Sequence, residues 1–473
     1  MKHLVLLSLT IGSLGLCAQK TKPEILKALD AKAGQYSEIA KSIWGYAEVG
    51  YKEVQSSALL QKTLTDAGFA VQNNIAGMPT AFTATFGSGK PVIGILGEFD
   101  ALPGVSQEAV PEQMSIPNQK AGHACGHHLF GTASAAAAIE VKNWLIANKK
   151  SGTIRFYGTP AEEGGSGKVY MVREGLFKDV DVVLHWHPGN GNNASPANSL
   201  ANKNGKFRFY GIASHAAAAP EKGRSALDAV EAMNSMVNMM REHVTQETRI
   251  HYVITRGGEA PNVVPAFAEA YYYVRHPKRS EVKNVWERIV KAAQGAALGT
   301  DTKMEVEITG GVYDLLPNES LAKMMDKNLR LVGGYIYSDD ERNFADQIQK
   351  TLTGNIPSAE STIQISDFQM RFESASTDVG DVSWNVPTVG LSTATWVPGT
   401  PAHSWQAVAA GGTSIGSKGM MVAAKTLALS AIDLFSNQTL IDEAWKEFRS
   451  RIGSDFKYES LIGDRKPALD YRD

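Results

Sequence analysis

The chain has 473 residues, 43% of them apolar and 20% charged, which is too long for one small core and excludes a disordered chain, so a packed globular fold of about two domains is expected. With 47 basic against 49 acidic side chains the formal charge is −2, which excludes a strong field for nucleic acid or anionic lipid and points to a small-molecule partner.

The first residues are a short basic start (Lys2, His3), an apolar run from Leu4 to Leu16 and then Cys17-Ala18-Gln19. This is the pattern of a secretory signal, with residues 1–18 removed and the mature protein periplasmic or secreted. Leu16 stands where lipid attachment at Cys17 needs a small residue, so cleavage after Ala18 is expected. No other apolar segment is expected to reach the roughly 20 residues that a spanning helix requires. Removal of the signal leaves Cys125 as the sole cysteine, so no intrachain disulfide is possible and the thiol needs another reason.

Pro91 to Leu96 is a short apolar run that reads as a buried strand, and Gly97-Glu98-Phe99-Asp100-Ala101-Leu102-Pro103 follows it. Asp100 can orient a metal-bound histidine, and Glu98, two residues earlier, is a weaker polar neighbour. His123-Ala124-Cys125-Gly126-His127-His128 then precedes an alanine-rich helix, Gly131 to Asn148. In extended backbone residues 125 and 127 point the same way, and thiolate with imidazole suits a borderline transition metal. The strand Thr153 to Tyr157 leads into Thr159-Pro160-Ala161-Glu162-Glu163-Gly164-Gly165, where one carboxylate can ligate metal while its neighbour takes a proton from water. Val180 to Leu184 ends in His185-Trp186-His187-Pro188, with His185 and His187 both candidate ligands.

The middle of the chain changes character. Lys206 to Ile212 and Ala266 to Arg275 alternate like half-buried antiparallel strands, Ser225 to Glu242 is an amphipathic helix between them, and a helix Ser280 to Ala297 and a strand Lys303 to Ile308 follow. That is a small α+β unit inserted at 203–311 into a larger α/β domain formed by 19–202 and 312–473. The segment Ser338 to Thr362 is polar and partly helical with no evident role. The strand Thr388 to Leu391 leads towards Pro401-Ala402-His403-Ser404-Trp405, and Ser417 to Leu434 forms a long last helix. Four segments thus deliver Cys, His and Glu beyond strand ends, where α/β folds place their sites.

These motifs, together with Ser214-His215-Ala216-Ala217 and Gly258-Glu259-Ala260-Pro261-Asn262-Val263-Val264-Pro265, occur in the order found in metal-dependent amidohydrolases. Over nearly all the mature chain the sequence resembles the aminoacylase, hippurate hydrolase and auxin-conjugate hydrolase group, of peptidase M20 type. Gly97 to Gly104, Trp186-His187-Pro188 and Ser376 to Trp384 resemble its aminobenzoyl-glutamate utilisation protein B-like branch. The resemblance implies an exopeptidase-like α/β catalytic domain with an inserted α+β lid and dimerisation domain. It also implies two divalent ions, manganese or zinc, with Cys125 as bridging ligand and His127, Glu163, His187 and His403 as the others. Glu162 corresponds to the general base. His128 stands where usual members have Asp, and Glu98 where they often have Asp. The Trp-His-Pro context favours His187 over His185.

His215 and Asn262 resemble lid residues that approach the substrate. His215 is expected to come from the partner of a homodimer and to stabilise an oxyanion, and Asn262 to hold the substrate carboxylate. The implied activity is hydrolysis of the amide bond of N-acyl amino acids, aminobenzoyl-glutamate among them. A dipeptidase or carboxypeptidase on the same fold, or a subunit that needs a partner for activity, is the alternative. A cysteine hydrolase using Cys125 as nucleophile would leave Glu162, Glu163, His187 and His403 without a role.

Overall fold

The computed structural model describes residues 20–473, so the expected signal segment lies outside the described residues. The larger domain is built on a six-stranded sheet whose spatial order is Ala70–Asn73, Phe82–Ser88, Gly152–Gly158, Val92–Gly97, Val182–Gly189 and Thr388–Ala394. The last four run parallel, and Phe82–Ser88 pairs antiparallel with Gly152–Gly158. Val92–Gly97 is buried along its whole length, as a strand covered on both faces must be, which is why it reads as an unbroken apolar run. The helices His127–Ala147 and Ser414–Ser436 pack on each other and on these strands. The small side chains of Ala133 and Ala135 to Ala138 allow that close approach. The expected α/β fold is what forms.

One expectation needs correction. Ser414–Ser436 has 23 residues and is long and apolar enough to cross a membrane by length and composition, yet 83% of its most apolar stretch is buried inside the fold. A helix packed against both a sheet and other helices is apolar all round, so composition does not separate it from a spanning helix.

The second unit is a four-stranded antiparallel sheet, ordered Arg249–Arg256, Phe267–His276, Ala201–Tyr210 and Lys303–Val312. Helices Ala226–Met240 and Arg279–Gly299 lie against it. Its core is made by alternate residues, Phe207 and Phe209 from one strand and Ala268, Ala270, Tyr272 and Val274 from the next. The edge strand Arg249–Arg256 has no counterpart among the ranges expected from sequence, because it is mostly exposed and Val253 and Ile254 face outward.

The segment of unassigned role forms a helix, Asp339–Gln349, opened by a capping box between Ser338 and Glu341, and a short turn, Ala359–Ile363. Ala345, Ile348 and Ala359 share a small core with Trp396, Val397 and Ala407. Gln349 donates to the Pro398 carbonyl at 3.1 Å. The segment therefore buttresses the loop that carries His403.

Candidate active site

Because the four strands run parallel, their carboxyl ends open on one edge of the sheet, and the residues beyond those ends converge there. Cys125 Sγ lies 3.4 Å from His187 Nε2. Donor atoms of Cys125, His127 and His187 all fall within 4.8 Å of one another, and the same is true of Cys125, Glu163 and His403 and of Glu98, His127 and Glu162. His403 Nε2 is 3.4 Å from Glu163 Oε1. The thiol is common to two of the three sets. His185 lines the same cavity but joins none of them, and burial holds its imidazole down to about 3. His128 is buried away from the cluster with Nε2 3.0 Å from the Gly411 carbonyl, and burial pushes it down to about 3 as well.

The extended backbone expected at 125–127 is not what brings this pair together. Gly126 has φ +76° and His127 opens the helix His127–Ala147, so a sharp turn aims both side chains at the site. A Cβ at Gly126 would lie 2.6 Å from Pro188 Cβ, which shows how tightly that turn packs beside His187. His403 also stands in the left-handed region, with φ 60°, and its N–H donates to the Ala124 carbonyl at 3.0 Å, tying the last segment to the cysteine turn. Such backbone strain in a non-glycine residue persists where the surroundings over-determine it, and it concentrates at functional sites.

Asp100 lies against the His127 ring. His127 Nδ1 lies 3.0 Å from Asp100 Oδ1, and the Glu163 N–H donates to Asp100 Oδ2 at 2.9 Å, so one carboxylate fixes the ring and the acidic turn together. Nδ1 is thereby committed and Nε2 faces the site. His127 Nε2 and Glu98 Oε2 stand 3.0 Å apart, yet neither has a hydrogen-bond partner, and Glu163 Oε1 has none either. Buried polar atoms are seldom left so, and a cation among them would satisfy all three. A donor set of thiolate, imidazole and carboxylate suits a borderline divalent ion, so the residues fit a metal.

The electrostatics reflect that crowding. Burial raises the Cys125 thiol, and Glu163 adds to the rise while His127 opposes it. Burial also raises Glu162, as do the charges of Glu98, Glu163 and Asp378. For His127 burial opposes the charged form, but Cys125, Glu98 and Asp100 outweigh it and hold the ring well above its ordinary value. Burial followed by the charge of His127 lowers His187, whereas the Glu163 carboxylate raises His403.

Several neighbours were not legible as site residues. Glu98 is more than a weak polar neighbour: Lys168 Nζ sits 2.7 Å from Glu98 Oε1 and 2.6 Å from Asp378 Oδ1, all three groups fully buried. Lys168 follows a glycine-rich turn, where a lysine looks like an ordinary surface residue, and Asp378 appears in sequence only within a motif that carries no role. Glu53 accepts from the Ala161 N–H at 2.8 Å and from the Thr80 hydroxyl at 2.9 Å, bracing the turn before Glu162. Burial, followed by the charge of Asp100, pushes Glu53 up to about 8.

Cys125, Glu162, Glu163, His187 and His403 face a cavity of about 680 Å³, which Tyr273 and Arg275 of the inserted unit and Arg472 near the end of the chain also line. His215 and Asn262 are not among its lining residues. They sit together on an exposed loop pair of the inserted unit, where the Ala216 N–H donates to the Asn262 carbonyl at 3.0 Å. His215 Nδ1 accepts from the N–H groups of Ala217 and Ala218.

Residues 201–301 match the family model described as the peptidase dimerisation domain. The chain is 42% identical over 447 residues to the B subunit of p-aminobenzoyl-glutamate hydrolase from Escherichia coli strain K12, covering 89% of this chain and 93% of that one. It is 29% identical over 464 residues to the human Xaa-Arg dipeptidase, covering 93% and 95% of the two chains. Among solved structures it resembles a dinuclear metal-binding peptidase of the M20 family from Bacillus subtilis, with a TM-score of 0.59, 16% identity and coverage of 86% of this chain and 99% of that one. With such identity to the Escherichia coli protein over nearly the whole of both chains, this protein belongs to the M20-type family of metal-dependent amidohydrolases, in the branch of the aminobenzoyl-glutamate hydrolase B subunits.

Proposed function

We propose that this protein hydrolyses the amide bond of N-acyl amino acids, aminobenzoyl-glutamate-like compounds first among them, using two divalent ions, manganese or zinc. Cys125, His127, Glu163, His187 and His403 would hold the ions. The observation that carries the reading is the sharing of Cys125 between two donor sets, the arrangement that a bridging ligand between two ions requires. Bound ions of this kind polarise a carbonyl and lower the pKa of water. Glu162 then accepts the proton of the attacking water at its carboxylate and returns it to the leaving nitrogen. Arg275 lines the cavity and offers its guanidinium to the carboxylate beside that nitrogen, a contact expected of Asn262 on sequence grounds. The relatives support this substrate class, since both named ones act on an amide whose nitrogen belongs to an amino acid. A dipeptide substrate is the alternative that the second relative favours.

The test is an assay of the purified chain on N-acyl glutamates, dipeptides and their α-methyl esters. Activity should vanish on chelation and return with manganese or zinc, and esterification should lower kcat/KM roughly tenfold or more, as loss of a charge-assisted hydrogen bond does. Full activity in chelator that is abolished by thiol blocking would instead support a cysteine hydrolase. Inactivity of the metal-loaded chain alone would point to a required second subunit.

A homodimer belongs to the same proposal, with the insert at 203–311 as lid and dimerisation domain, and with His215 and Asn262 serving the partner's site. The edge strand supports this, since Val253 and Ile254 are exposed on an unpaired sheet edge. Glu162→Gln and His215→Ala chains, each inactive alone, should then complement when subunits exchange. Random pairing makes half the dimers mixed, each with one competent site of two, so about a quarter of wild-type activity should return. Confirmed heterodimers without recovered activity would place His215 outside the neighbouring site.

A further inference from the structure

The last residues of the chain run back to the acidic turn. Tyr170 OH donates to the Lys466 carbonyl at 3.2 Å, and Arg173 donates to the carbonyls of Gly463 and Arg465 at 3.0 and 2.7 Å. The Arg465 guanidinium donates to the Thr309 carbonyl of the inserted unit, so this strap is pinned by both domains. Beyond it, Tyr471 OH donates to the Glu163 carbonyl at 3.1 Å, and a Cβ at Gly50 would lie 2.1 Å from that hydroxyl oxygen. Asp473 pairs with Lys52 at 2.7 Å. Arg472 is thus held from both sides.

Its side chain lines the cavity that holds Cys125, Glu163 and His403. One Nη2–H donates to the Glu163 carbonyl and the guanidinium lies 4.8 Å from the Tyr471 ring centroid, while the buried Nε has no hydrogen-bond partner. A guanidinium has five N–H donors in a fixed fork. Arg275 brings a second guanidinium to the same cavity from the other domain, 5.6 Å from the Tyr273 ring centroid. Burial raises the Tyr273 phenol and both cations oppose that rise, so both lie near this one side chain. Neither arginine is paired with a carboxylate among the described residues.

Two forked cations on one cleft match a ligand with two carboxylates, because a monocarboxylate would leave one guanidinium without a charged partner. We propose that Arg472 is a specificity-determining residue that binds the side-chain carboxylate of a dicarboxylic N-acyl amino acid, while Arg275 takes the carboxylate beside the scissile nitrogen. This rests on the amidohydrolase reading above. In the competing account Arg472 merely props the Glu163 turn through its carbonyl.

The experiment compares the metal-loaded wild type with Arg472→Met and Arg472→Gln, of which the glutamine keeps a donor for the Glu163 carbonyl but no charge. Steady-state rates are measured on N-benzoyl-glutamate and N-benzoyl-glutamine, and binding of free L-glutamate and L-glutamine by calorimetry. Wild type should prefer the dicarboxylate by about tenfold to a hundredfold, the span expected for a charge-assisted pair. Both variants should lose that preference, mainly through KM, with metal content unchanged. A wild type without preference, a preference kept by Arg472→Gln, or equal losses on both compounds overturns the assignment. Preferential glutamate binding without hydrolysis of either amide would sink the proposed activity and leave the role of Arg472 standing.

Discussion

Replacing Glu162 by glutamine is expected to lower kcat by about two to four orders of magnitude, the contribution usual for a positioned general base. The substitution keeps the size and planarity of the side chain but removes its capacity to accept a proton. Glu162 stands in a donor set with Glu98 and His127 and outside both sets that share Cys125. In the proposed assignment Glu162 moves a proton and the ions are held by other residues, so metal content, measured on the purified variant by elemental analysis, should stay at the wild-type level. Glu163→Ala and His403→Ala should behave in the opposite way and lower metal occupancy, because each removes a donor that converges with Cys125. Metal loss in Glu162→Gln would make that residue a ligand, and a normal rate would remove it from the chemistry altogether.

Lys168→Met should cost about 3–5 kcal/mol of stability, the range found when one partner of a buried ion pair is removed. Against a total of roughly 5–15 kcal/mol for a native protein this is a large share. Lys168 is fully buried, and burial opposes its charge, but Asp378, Glu98 and Glu162 outweigh that and hold it protonated. Removing the ammonium leaves Glu98 and Asp378 as buried like charges without their shared cation, and Asp378 is held there by the Lys168 backbone N–H at 2.9 Å. Denaturant midpoints of the metal-free proteins give the measurement. Adding Glu98→Gln and Asp378→Asn to Lys168→Met should recover much of the loss, since a neutral group is far less costly to bury than an unpaired charge. A single variant as stable as wild type would show that water reaches the network and screens it.

The sequence by itself determined the class of fold and the kind of chemistry. Runs such as Pro91 to Leu96 and Val180 to Leu184 are apolar without a break because parallel strands are covered on both faces, and that signal is local. Cys125, Glu163, His187 and His403 stand beyond or at the ends of such strands, so their convergence follows once the strands are known to be parallel. Order along the chain could not say how the ligands are aimed. The pair Cys125 and His127 meets through a left-handed Gly126 and a helix start, because the packing of Pro188 against that turn decides the backbone there.

Only the tertiary structure decided which further polar residues belong to the site. Lys168 and Asp378 are 210 residues apart and meet in the interior, where a lysine is tolerated only beside carboxylates that cannot be inferred from its neighbours in the chain. The same holds for Glu53 beneath the Ala161 turn and for Arg472, whose carbonyl partner at Glu163 lies 309 residues away. Local patterns report whether a side chain faces a core or solvent. Which charge it will meet there is fixed by long-range packing, and a short-range pattern carries no trace of it.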